Sequence, residues 1–275
     1  MKVLYKVRNF PPERIICLTE ETVETLYLLG EQDRIVGVTG YAVRPPVVRE
    51  EKERVAAFTS AKIDRILSLQ PDLVLAFSDL QADIAAELIK RGVAVMVYNQ
   101  RDIAGILAMI RHLGAVVGVG EKAEELALSY EKRLNDIEIK NKYIDRPRVY
   151  FEEWDSPMIT GIKWVSELVE IAGGQDVFLE LSGNAAASDR IVDSQQVIDA
   201  SPNIIVASWC GKKVRSEVFR AREGWSVVPA VEKNCIYEIK SPLILQPGPA
   251  ALTDGLDKLV QIFNLYDHGK HNLAY

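Results

Sequence analysis

Histidine and cysteine are scarce in this chain of 275 residues, with three of each. Cys17, Cys210 and Cys235 are odd in number, far apart and without a CxxC pair. That pattern supports neither a disulfide framework nor a zinc knuckle. Cys17 lies in the apolar run RIICL, the setting of a buried free thiol. His112, His268 and His271 show no HExxH or similar metal spacing, and the last two sit in a polar tail. Basic charge is not in excess either. Lys and Arg number 33 against 39 Asp and Glu, a net charge of −6, and no basic stripe with interleaved aromatics occurs. Nucleic acid is therefore not an expected partner. No apolar run reaches the ~18 residues that would insert in a membrane. The N-terminus, MKVLYKVRNFPPERIICL, lacks the ~7–15 apolar residues of a secretory leader. As written, the chain reads as cytoplasmic, or extracytoplasmic if a leader has been removed. A Ser-His-Asp set, a nucleophile elbow and a carboxylate dyad are all missing. No catalytic residue, metal or resident cofactor is assigned, and the chain is not read as an enzyme.

What is present is ordinary in amount and unusual in arrangement. Hydrophobic residues make up 48% and charged ones 26%, enough for a sizeable core. The order of those residues repeats. Residues 66–77 read ILSLQPDLVLAF and residues 197–208 read VIDASPNIIVAS, with Pro71 and Pro202 standing 131 positions apart. Each copy is a helix end, a proline stop and a buried apolar run. Further runs alternate with helical patterns along both halves, and residues 120–143 carry neither proline nor interior glycine. Continuous Val/Ile/Leu runs between helices indicate parallel sheets covered on both faces. The expected fold is α/β: two Rossmann-like lobes with mainly parallel sheets, residues 1–117 and 147–275, joined by one long helix within 118–146. Two lobes imply a cleft, a common seat for a small molecule. Gly118-Val-Gly120 imitates a dinucleotide fingerprint but follows a helical stretch, IAGILAMIRHLG, and reads as a helix-to-helix turn.

In open α/β sheets ligands bind beyond the carboxyl ends of strands. That rule selects Thr19–Thr22, Tyr41, Phe77, Ser78, Asp79 and Asn99–Arg101 in the first lobe. In the second it selects Glu152, Glu153 and Trp154, the run Trp209, Cys210, Gly211, Lys212 and Lys213, and the loop SPLILQPGP at 241–249. Three of the four tryptophans, Trp154, Trp164 and Trp209, fall at or near these ends. An indole offers a broad apolar face and one N–H, which suits a flat, partly polar ligand, although each ring also serves to pack a core. Glu152 and Glu153 are consecutive on a strand and point to opposite faces, so at most one meets a ligand.

The segments RIICLTEETVETLYLLGEQDRIVGVTGYAVRPP, IDRILSLQPDLVLA, WVSELVEIAGGQDVF and VIDASPNIIVAS together resemble the ABC-transporter solute-binding proteins for cobalamin, haem or iron–siderophore. The cobalamin branch is the best match, over about residues 13 to 265. The resemblance implies a corrinoid-like ligand, contacted by Tyr41, by Trp209 and by Gln246 in the late loop. It also implies an ABC permease as partner, docked through one acidic residue at the top of a helix in each lobe. Those positions are Asp64 and Gln195, the second not acidic although Asp193 lies two residues away. The alternative reading is a cytosolic descendant of the class, a carrier, sensor or salvage protein for another flat polar ligand. That descendant could have acquired a hydrolase activity; a third reading, a hydrolase or transferase, would use Glu153 or Asp79.

Overall fold

A computed structural model describes residues 10–141 and 146–267. The chain divides into two compact units. The first comprises residues 1–100 and 104–128, the second residues 101–103 and 129–275. The boundary at 128/129 falls inside the helix Gly120–Asn141, the described part of the expected long helix.

The first unit holds a parallel sheet of strands β1 (Ile15–Cys17), β2 (Ile35–Thr39), β3 (Arg54–Ala56), β4 (Leu73–Phe77) and β5 (Val95–Tyr98). Their order is β3-β2-β1-β4-β5. All five residues of β4 are buried, as expected for a sheet covered on both sides. Ile16, Val74 and Ala76 pack with Ile66 and Leu88 from the flanking helices Ile63–Ser68 and Ala82–Lys90. Succession reverses at β1: β2 and β3 extend the sheet to one side, β4 and β5 to the other. The crevice between β1 and β4 is therefore the switch point of this sheet.

The second unit repeats the plan with β6 (Arg148–Asp155), β7 (Met158–Thr160), β8 (Gln175–Asp176), β9 (Ile204–Ala207) and β10 (Ile236–Glu238). The order is β10-β9-β6-β7, with β8 also on β6, and only β7 runs antiparallel to its neighbour. Its switch point lies between β6 and β9. The α/β expectation holds in both units. The strands it missed, β3, β7 and β8, are two or three residues long.

The sequence repeat survives as a backbone repeat. Gln70 and Ser201, each just before the shared proline, both adopt positive φ, 48° and 46°. Arg14 at the foot of β1 donates to the carbonyls of Leu69 and Gln70 at 3.1 and 3.2 Å. Arg148 at the foot of β6 donates to Ala200 O at 2.7 Å. Asp72 accepts the backbone N–H groups of Glu13 and Arg14 at 2.7 and 3.0 Å, and Asn203 accepts that of Arg148 at 2.9 Å.

The helix Lys163–Ile171 ends at Gly173, whose φ of +93° suits a residue without Cβ. Gly174 is needed for space, since a Cβ there would lie 2.8 Å from the Phe263 ring and 2.9 Å from Val149. Gly174→Ala should destabilise the fold by about 1–3 kcal/mol through overpacking. In urea the unfolding midpoint should fall while the slope stays unchanged.

Candidate functional site

Carboxyl-edge loops at the two switch points present different chemistry. In the first unit, β1 runs straight into the helix Glu20–Leu28, and this turn buries two carboxyl groups. Thr19 Oγ1 donates to Glu21 Oε1 at 2.5 Å, while Glu21 Oε2 is buried without a partner. Burial pushes the Glu21 carboxyl up to about 8 and that of Glu20 to about 7, and the Glu20 charge further discourages ionisation of Glu21. Tyr98, at the end of β5, is 7% exposed and its hydroxyl is likewise unpartnered. The Cys17 thiol is buried and pushed up to about 12, which leaves it unreactive.

The loop after β4 is held by Gln81, a residue that sequence reasoning passed over. Its Oε1 accepts from Phe77 N at 3.0 Å, and its amide donates to Leu18 O at 3.2 Å and Phe58 O at 2.8 Å. One buried side chain thus ties the ends of β1 and β4 to a third segment. Ser78 adopts a φ of 58° and accepts from Leu80 N at 3.3 Å. Of the residues selected from sequence here, Phe77 and Ser78 are buried, Asp79 is exposed, and Tyr41 is 47% exposed just beyond β2.

In the second unit, the Glu152 side chain lies at the centre of a buried network. It accepts from Arg222 at 2.6 and 2.9 Å, from Tyr150 OH at 3.0 Å and from Trp209 Nε1 at 3.2 Å. Burial raises its carboxyl, and the guanidinium opposes that shift. All four contacts are donors, the set an ionised carboxylate needs. Arg222 also lies 4.7 Å from the Phe219 ring centroid and 4.5 Å from that of Trp225. Glu153 pairs with buried Arg190 at 2.7 Å, so the two glutamates do take separate partners. The pairing of β6 with β7 shifts register between Glu152 and Trp154, a bulge that re-aims this strand end. Neither arginine was legible as a partner, because they stand 37 and 70 residues along the chain from their glutamates.

Trp154 is half-buried and donates to Ser156 O at 3.0 Å. Trp209 is 3% exposed, so the open ligand wall expected from sequence is a covered ring in this structure. Its burial follows from stacking on Phe219 and from the indole N–H bond to Glu152. Trp164 is a core residue whose N–H donates to Ile244 O. Cys210 is exposed and Gln246 half-buried.

Asp64 and Gln195 occupy equivalent first turns, on the helices Ile63–Ser68 and Ser194–Ala200, and both are exposed. Gln195 donates to Asp199 at 2.7 Å. Asp193 is the N-cap of its helix, accepting from Gln196 N at 2.8 Å in a reciprocal capping box. Among the described residues no group of His, Cys, Asp and Glu is placed to hold a metal. His112 packs edge-on against Tyr98, while His268 and His271 lie outside the described residues.

A family profile described as periplasmic binding protein matches residues 15–243. An ABC transporter substrate-binding lipoprotein of Bacillus subtilis is 26% identical over 260 residues, covering 91% of this chain and 79% of its own. A vitamin B12-binding protein of Vibrio parahaemolyticus is 27% identical over 247 residues, covering 89% and 87%. In fold, the chain is similar to the periplasmic haem-binding protein RhuT of Roseiflexus sp. RS-1. The TM-score is 0.77 at 21% identity, with 91% and 98% covered.

The buried acids make stability depend on pH. The Glu21 carboxyl binds its proton more tightly folded than unfolded, where an ordinary glutamate titrates near 4.5. Its contribution is complete below pH 4.5 and is lost as pH rises through about 8. Thermal melts from pH 5 to 9 should show stability falling up to about pH 8 and levelling above it, with a shallower fall between pH 5 and 8 in Glu21→Gln.

Proposed function

We propose, since this chain belongs to the periplasmic binding protein family, that the ligand it carries is a corrinoid or a similarly flat, partly polar chelate. The chain is a solute-binding protein of the ABC-transporter class. The observation that carries the ligand reading is the aromatic character of the carboxyl-edge loops. Tyr41 offers a half-exposed ring beyond β2, and Trp154 and Trp209 stand together at the β6/β9 switch point. Phe77, Ser78 and Asp79 after β4 in the first unit, and Glu153, Cys210 and Gln246 in the second, are the further proposed contacts. The likeness to a vitamin B12-binding protein along most of both chains supports a corrinoid over other flat ligands.

An ABC permease is the partner the class implies. Asp64 and Gln195, exposed at equivalent helix tops, are the proposed docking points. The family name, periplasmic binding protein, supports a location outside the cytoplasm for this chain. No helix among the described residues is long and apolar enough to cross a membrane. Cell fractionation tests the location; recovery only with cytosolic markers would overturn it.

Titration with cyanocobalamin, followed by tryptophan fluorescence and native mass spectrometry, should give a 1:1 complex. Failure to bind any corrinoid would overturn the ligand. Tyr41→Ala should weaken binding by about 1–3 kcal/mol if its ring stacks on the ligand. At the docking face, Asp64→Arg should leave corrinoid affinity unchanged and reduce capture by permease-containing vesicles. Equal capture of the variant would remove Asp64 from the interface.

A further inference from the structure

One side chain lies over both ring faces at the β6/β9 switch point. Lys212 Nζ is 5.0 Å from the ring centroid of Trp209 and 5.7 Å from that of Trp154. Asp155 pairs with the same ammonium, and its second oxygen is buried without a partner. Phe219 stacks on Trp209 with centroids 5.7 Å apart and planes 21° apart. A ring stacked on one face leaves the ammonium only the other. The chain is built to bring Lys212 there. Lys212 N donates to Trp209 O at 3.3 Å, and Gly211 takes a φ of +71°. This four-residue turn with a left-handed third position folds the side chain back over the ring that opens it. Lys212 is also the most exposed part of the arrangement: its side chain is 48% accessible against 11% for Asp155.

On the corrinoid reading above, we propose that Lys212 is an affinity- and specificity-determining residue, the group a ligand displaces from the faces of Trp154 and Trp209. The ammonium sits where the ring quadrupoles are negative. What takes its place is a broad surface of polarised C–H groups, as the rim of a metal-chelating macrocycle has, which packs on an indole face. An anionic surface is repelled there. Phe219 and Glu152 hold the Trp209 ring in place, and Lys212 sets how readily a flat ligand reaches its other face.

Wild-type protein, Lys212→Met and Lys212→Arg distinguish the outcomes, with cyanocobalamin as the probe. The Met variant keeps a linear stem and loses the charge; the Arg variant keeps a cation that stacks on indole. Without ligand, acrylamide should quench the tryptophans of Lys212→Met more efficiently than those of wild type. Its dissociation constant for cyanocobalamin should fall by about fivefold, from the loss of one exposed cation–π competitor. Lys212→Arg should bind no more tightly than wild type. Unchanged or weaker binding by Lys212→Met, with the wild-type complex intact, overturns the role of Lys212 and leaves the corrinoid reading standing. Absence of cyanocobalamin binding in all three proteins overturns the corrinoid reading and this assignment with it.

Discussion

Both units depend on one clasp between the end of a helix and the foot of the first strand. An arginine at the strand foot holds the last helical carbonyls, and an Asp or Asn after the proline holds the backbone N–H groups of the strand foot in return. Left open, those carbonyls would be orphans of the helix terminus. The clasp also aligns the following strand with its neighbour: Leu73 lies beside Ile15 in one unit, Ile204 beside Val149 in the other. Register set at the foot determines which side chains emerge at the carboxyl end. Glu20, Glu21 and Ser78 at one switch point, and Glu152, Trp154 and Trp209 at the other, occupy their places as a consequence.

The two switch points solve the problem of burying carboxylates differently. In the second unit Glu152 is satisfied by a guanidinium and two further donors, and the charge is retained. Breaking such a pair leaves an uncompensated buried charge, so the network acts as a fixed support under the aromatic rings. In the first unit no cation reaches the Glu21 carboxyl among the described contacts, and the group takes up a proton instead. Glu152 is fixed by donors, whereas Glu21 loses its proton as pH rises through about 8. Gln81, with donors and acceptor all engaged, is the neutral element that ties the ends of β1 and β4 to the segment at Phe58 in the first unit.

The parts of the fold that could be read from sequence are those with local causes. Buried runs such as DLVLAF and NIIVAS, the proline stops and the closing glycines mark β4, β9 and their helices without knowledge of any partner. The short strands β3 and β7 exist because a neighbour pairs with them, and three residues carry no period of their own. The places of the candidate residues at strand ends were legible; their burial was less so. The carboxyl-edge rule located Tyr41, Trp154 and Trp209, yet the covering of Trp209 depends on Phe219 and Glu152, ten and fifty-seven residues away in the chain. Asp193 looked like a displaced docking acid; its carboxylate is engaged as a helix cap.

The distribution of thiols has a practical corollary. Cys17 and Cys235 are shut inside the two cores, and Cys210 alone reaches the surface, beside Trp209 in the turn that carries Lys212. A maleimide fluorophore added to the folded chain would therefore attach at a single position. It would report directly on movement of that turn, with no cysteine needing to be engineered in or out.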